Sequence, residues 1–261
     1  MPFSQPLRGI IPPLVTPIHE DFTLDHTSLI KIIEHTIAGG VHGIFILGTT
    51  GEFASLSSIV KHELISMTCA KVDGLIPVLV GITDCSFNES LNLAAKALDS
   101  GASAVVATSP FYMNIGQEEL VNYYQKLADK VELPLLLYNM PSHTGMAIDL
   151  SSVAILAEHP NIIGIKANLF PELYVKLYEA ILAKNYELVE ALQVTVLFLS
   201  KNLYSYGTYK SNYLKGLKAS MSFSGLCKDV LALPLFPYSE EEKAILKHKY
   251  DAVLARVNSV L

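Results

Sequence analysis

Cysteine is scarce in this chain and poorly placed for its usual structural tasks. Among 261 residues there are three, Cys69, Cys85 and Cys227. They are odd in number, far apart and never in a Cys-x-x-Cys pair. That excludes a disulfide framework and a thiolate metal site, and it points to reduced thiols in a cytoplasmic protein. The eight histidines include no His-x-x-x-His pair beside a carboxylate, so no metal is expected. Charge is also sparse: 17% of residues carry it, with a net charge of −6 and a pI near 5.7, so neither nucleic acid nor an anionic membrane is an expected partner. No apolar run is long enough to span a bilayer, and no secretory leader is expected at the start. Apolar residues are plentiful at 51%, which excludes a disordered chain and allows one large domain with a sizeable core.

Three apolar runs end in reactive groups. Asn161-Ile162-Ile163-Gly164-Ile165-Lys166 reads as a buried strand closed by a cation. Desolvation there disfavours the ammonium form, and a neutral amine can attack a carbonyl to form a Schiff base. Taken alone, Lys166 reads more readily as a structural strand-end lysine that reaches out to water. Gly43-Ile44-Phe45-Ile46-Leu47 breaks into Gly48-Thr49-Thr50-Gly51-Glu52, a tight turn whose N–H groups could hold a carboxylate. Pro134-Leu135-Leu136-Leu137 ends at Tyr138, a phenol that near a lysine or an iminium could shuttle protons. By itself Tyr138 also fits plain amphipathic packing.

Strand-like and helix-like stretches alternate. Apolar strands are expected near Gly9–Val15, Gly43–Leu47, Pro77–Ile82, Ala104–Thr108, Pro134–Tyr138 and Ile162–Lys166, their starts 27 to 34 residues apart. Amphipathic helices are expected between them at Asp25–Ala38, Ser57–Val72, Ser86–Ser100, Gln117–Val131 and Leu150–Glu158. Asp25, Ser57, Ser86 and Asp149 are their N-cap candidates. Continuous apolar strands alternating with helices imply a covered parallel sheet. Six units at this stride favour a (β/α)8 barrel over a doubly wound sheet. No Gly-x-Gly-x-x-Gly follows the first strand, where Pro12-Pro13 stands and offers no N–H to a pyrophosphate. In a barrel, Thr49, Thr50, Tyr138 and Lys166 would converge on one mouth, since all sit at C-terminal strand ends.

With these pieces in order and at this spacing, the chain resembles the dihydrodipicolinate synthase and N-acetylneuraminate lyase superfamily of class I aldolases. The resemblance rests on Gly48-Thr49-Thr50-Gly51-Glu52, Ser109-Pro110-Phe111-Tyr112, Leu137-Tyr138-Asn139-Met140-Pro141 and Gly164-Ile165-Lys166, within residues 1–166. It implies a TIM barrel with a C-terminal helical extension, assembled as a homo-oligomer, commonly a tetramer of tight dimers. It further implies Lys166 as the Schiff-base lysine and Tyr138 as the proton-transferring phenol. Thr49 and Thr50 would grip the carboxylate and relay protons, with Gly48 and Gly51 shaping the turn. Tyr112 would reach across a dimer interface. The reaction would join pyruvate to an aldehyde, or cleave the product, with no metal or organic cofactor.

Directly after Lys166 the pattern breaks. Ala167-Asn168-Leu169-Phe170-Pro171-Glu172-Leu173-Tyr174 resembles the family's end of strand eight and start of helix eight, and Tyr206–Lys218 resembles its helical extension. An internal deletion of strands seven and eight, about 60 residues at barrel norms, is therefore expected. The expected division is a barrel domain over 1–180 and a helical region over 181–261. Gln193–Leu199 could serve as a replacement strand. The apolar spacing Leu188, Leu192, Val196, Leu199, Leu203 fits a buried helix as well, and helix is the reading adopted here.

Other residues refine the expectation. His143 stands where dihydrodipicolinate synthases carry an arginine that grips the aldehyde's carboxylate, and imidazole offers no bidentate contact. That favours a 2-keto-3-deoxy sugar acid or N-acetylneuraminate type of substrate over 4-hydroxy-tetrahydrodipicolinate synthesis, although His143 is also readable as an ordinary loop histidine. Glu52 is expected to order the turn, Asp84 and Cys85 to lie near the mouth, and Tyr204, Tyr206, Tyr209 and Tyr213 to pack or mediate an oligomer contact. The competing reading is a keto-acid-binding pseudoenzyme disabled by the deletion.

Overall fold

A computed structural model describes the chain from Leu7 to Val260, apart from residues 167–175, 177–178, 181–182 and 210. Proximity divides it into two units, one built on residues 43–168 and one on residues 8–42 with 169–261.

The first unit is a repeating βα chain. Its strands are β1 (Ile44–Ile46), β2 (Val78–Gly81), β3 (Ala104–Thr108), β4 (Leu135–Tyr138) and β5 (Ile162–Lys166). All pair in parallel and in strictly sequential order. Sequential order without a reversal is what a barrel requires; a doubly wound sheet turns back at a switch point. Every residue of β1, β2 and β3 is buried, as parallel strands covered on both faces must be. β5 differs. Ile163 is 48% exposed, and among the described residues no strand pairs with the outer edge of β5.

Helices α2 (Ser58–Val72), α3 (Phe87–Asp99), α4 (Gln117–Lys130), α5 (Pro141–Thr144) and α6 (Leu150–Leu156) connect these strands. The expected caps act at α2 and α3, where the Ser57 and Ser86 side chains accept from the N–H groups of Val60 and Glu89. At α4 only one half of a capping box forms, because the N-cap is Gly116 and has no side chain: Glu119 reaches back 2.7 Å to accept from the Gly116 N–H. Asp149 makes no side-chain cap at α6. Its own N–H donates to Gln117 Oε1 at 3.2 Å.

The second unit contains α1 (His26–Ala38), α7 (Tyr186–Leu199), α8 (Asn212–Phe223) and α9 (Glu240–Val260). Asp25 caps α1, its carboxylate accepting from Ser28 N at 3.0 Å and Ser28 Oγ at 2.7 Å. The first expected strand, Gly9–Val15, forms no named strand among the described residues; only Pro13 stands in a single β-bridge. Pro12 and Pro13 have no N–H for a ladder. His42 answers the backbone of Ile10 instead, its Nδ1 accepting from Ile10 N at 3.1 Å and its N–H donating to Ile10 O at 2.8 Å. Residues Pro12–Val15 line an apolar cavity of about 240 Å³ with α1, α8 and α9.

Gln193–Leu199 is helical, within α7, which continues as a π turn over Ser200–Tyr204. Leu192, Leu199 and Leu203 are buried with Tyr238, Leu246 and Val253, while Val194 faces outward at 45% exposure. A stripe that buries every third or fourth residue suits a helix and not an alternating strand. The tyrosine cluster packs internally: Tyr206 stacks edge-on against Tyr238 and Tyr209 against Phe236, with Lys215 Nζ 3.7 Å above the Phe236 ring. The deletion junction Ala167–Tyr174 lies outside the described residues.

Candidate active site

The site is assembled at the C-terminal ends of the strands. Leu47 leaves β1 in the left-handed region (φ 56°), which is rare for a bulky residue, and Glu52 closes the following turn at φ 57°. Between them Gly51 N donates to Gly48 O at 3.0 Å and Glu52 N to Thr49 O at 3.1 Å. Those two N–H groups are spent on the turn itself. Thr49 and Thr50 therefore supply the N–H groups and hydroxyls with which this turn can meet a carboxylate. Gly48, Thr50, Gly51 and Glu52 are buried and Thr49 is half-buried, so an anion bound here would lose much of its water.

Tyr138 ends β4 at 4% exposure, with its hydroxyl 3.4 Å from Thr49 Oγ1. This spacing is at the long limit of a hydrogen bond. The Phe45 ring meets the Tyr138 ring edge-on at 6.1 Å and 89°. Lys166 is the register partner of Tyr138 on β5, and Thr108 is its partner on β3. The two strand ends that carry phenol and amine are thus adjacent in the sheet; the course of the Lys166 side chain lies outside the described atoms. Asn139 holds the next loop by accepting from Ile148 N at 3.2 Å.

Thr49, Thr50 and Tyr138, expected at one mouth, do come together. Tyr112 is 82% exposed beside Met113 at 67%, and the neighbouring Phe111 packs on Phe53 at 6.0 Å. His143 lies in α5, accessible overall, and the protein packed around one side of its ring desolvates it enough to lower its pKa below the usual imidazole value. Asp84 is occupied locally, accepting from Ser86 N at 2.9 Å and pairing with Lys61 Nζ at 3.7 Å. Cys85 is exposed. Among the described residues no three His, Cys, Asp or Glu side chains gather as a metal site. Thr108 and Thr83 were not singled out in sequence. Thr83 Oγ1 accepts from Thr108 N at 2.9 Å and braces the end of β3, a role whose only sequence signal is position.

Sequential parallel strands, a hydroxyl-bearing turn on β1 and a phenol and an amine on adjacent strand ends define a TIM-barrel-type α/β protein with its site at the C-terminal rim. Residues 6–169 match the dihydrodipicolinate synthetase family, and the chain belongs to it. It is 39% identical over 159 residues to the probable 2-dehydro-3-deoxy-D-pentonate aldolase YjhH of Escherichia coli (strain K12), covering 60% of this chain and 53% of that protein. It is 29% identical over 295 residues to the 4-hydroxy-tetrahydrodipicolinate synthase of Methanospirillum hungatei JF-1, covering 94% of this chain and 99% of that one. Among solved structures, dihydrodipicolinate synthase from Bacteroides thetaiotaomicron superposes with a TM-score of 0.88 at 38% identity, over 95% of this chain and 99% of that one. YagE from E. coli K12, solved in complex with pyruvate, gives 0.88 at 25% identity, over 94% and 98%.

The most similar stretch thus spans only about half of the YjhH protein's length. In the longer alignment, 94% of 261 residues is about 245, against 295 aligned positions, so about 50 positions have no counterpart here. That shortfall is close to the size of two βα units, and the family match stops at residue 169, just past Lys166. Among the described residues no helix is long and apolar enough to cross a membrane.

Proposed function

We propose that this protein is a Schiff-base-forming class I aldolase or lyase acting between pyruvate and an aldehyde, in the manner of enzymes that handle 2-keto-3-deoxy sugar acids. One observation carries the reading: Tyr138, 3.4 Å from Thr49, is in register with Lys166 on the next strand. Lys166 Nζ would attack the keto carbon, and loss of water would leave an iminium. In the cleavage direction Tyr138 would take the proton from the C4 hydroxyl, with a threonine hydroxyl relaying it. The C3–C4 bonding pair would then flow into the iminium to give an enamine, releasing the aldehyde. The turn at Gly48–Gly51 would hold the substrate carboxylate through Thr49 and Thr50. Tyr112, being exposed, would serve a partner subunit's relay in a homodimer or homotetramer, and His143 would face the far end of the substrate. Three cysteines outside any disulfide suit a cytoplasmic protein.

Pyruvate with sodium borohydride should leave a stable mass adduct on Lys166. Labelling elsewhere, or none, would overturn the proposal. A second reading, a keto-acid-binding protein with impaired turnover, is favoured by the roughly 50 missing positions and the exposed face of β5. It predicts the adduct without aldehyde release. Use of aspartate semialdehyde in preference to a sugar-derived keto acid would instead indicate 4-hydroxy-tetrahydrodipicolinate synthesis, the activity named for several relatives.

A further inference from the structure

One buried ring lies against both halves of the candidate site. Phe45 is the middle residue of β1, 1% exposed, and lies outside the Gly48–Glu52 motif. On one side its ring abuts Tyr138 edge-on, with centroids 6.1 Å apart. On the other it abuts Gly48: a Cβ placed on that glycine would stand 2.4 Å from Phe45 Cε1 and 3.0 Å from Cζ. Gly48 is not among the residues with positive φ, so its backbone does not demand glycine. The demand comes from the space that Phe45 fills. The phenol's contact to Thr49 Oγ1 is long, at 3.4 Å, while the Phe45 ring bears directly on the tyrosine's aromatic body.

We propose that Phe45 is a positioning residue that holds the Tyr138 phenol and the Gly48–Gly51 turn in mutual register, and that Gly48 is glycine because Phe45 lies beneath it. This rests on the aldolase reading above. Displacing the ring tilts the phenol, and enlarging Gly48 pushes on the same ring, so the two positions must be coupled.

Gly48→Ala, Phe45→Val and the double variant of the full chain would be compared by thermal unfolding, KM for pyruvate and kcat. Gly48→Ala should raise KM about tenfold or more, as a misplacement near 1 Å does. Phe45→Val should lower kcat with a smaller effect on KM. The double variant should regain both the melting temperature and the KM of Phe45→Val, because the smaller side chain makes room for the added methyl. A double variant whose KM is no better than that of Gly48→Ala overturns the proposal. Recovery of melting temperature without recovery of KM also overturns it, since Phe45 would then be only core. If native protein gives no pyruvate adduct, the aldolase reading fails by itself, and the positioning role fails with it even where the melting temperatures still show the packing couple.

Discussion

Asn161 offers a sharp test of how β5, the strand that ends in Lys166, is anchored. Its side-chain NH2 donates to three carbonyls that end α4 and lead into β4: Ala128 O at 3.1 Å, Val131 O at 2.9 Å and Leu133 O at 3.2 Å. Two hydrogens thus serve three acceptors, and the backbone carbonyl of Asn161 accepts from Leu135 N at 2.8 Å. Asn161→Ala removes the donors and leaves part-buried carbonyls to find water. Two hydrogen bonds at about 0.5–1.5 kcal/mol each give a loss of about 1–3 kcal/mol, and at about 2–4 °C per kcal/mol a mid-range loss lowers the melting temperature by about 4–8 °C. Asn161→Asp keeps the shape but aims carboxylate oxygens at three carbonyl oxygens. It should therefore cost more than the alanine variant at neutral pH and recover toward it as pH falls through the folded pKa, which the facing carbonyl oxygens raise above the ordinary Asp value of about 4. Urea unfolding followed by circular dichroism at pH 7 and pH 4 measures both. If aspartate proved as stable as asparagine at pH 7, these donors would not hold the strand, and the anchoring argument would be wrong.

At the start of α1, Asp25→Ala should cost about 1 kcal/mol in the same unfolding assay, since it removes the cap on Ser28. Burial alone would raise the Asp25 pKa, but the hydrogen bonds from Ser28 prevail and lower it. Its contribution should thus be full above the ordinary carboxylate pKa and be lost as pH falls through the lowered folded value; an Asp25→Ala penalty that persists undiminished below that value would refute this. With a disulfide-exchange reagent, Cys85 should react quickly in the native protein. Cys69 and Cys227 are buried, and burial pushes the Cys69 thiol up to about 11. One thiol should titrate before denaturation and three after it, and two fast thiols in native protein would count against the buried positions.

Local chemistry settled much of this protein in advance. Four of the expected strands after the first, and the fifth ending at Lys166, form where apolar runs meet Gly, Thr, Tyr or Lys, because a run buried on both faces needs no partner information to declare itself. Asp25, Ser57 and Ser86 cap helices as their side chains dictate, since a cap is a contact across three residues. Tertiary structure decided the rest. Pro12-Pro13 held an apolar run that otherwise read as a strand to a single bridge at Pro13. Residues 8–42 joined the C-terminal helices across more than a hundred intervening residues, a pairing no local period encodes. Gln193–Leu199 could have served strand or helix until the partners at Tyr238, Leu246 and Val253 fixed which side chains had to face inward. The need for glycine at position 48 was visible in the motif, but its cause, the Phe45 ring 2.4 Å from an added Cβ, exists only once the chain is folded. Burial and contact are properties of segments brought together, and a sequence specifies them without displaying them.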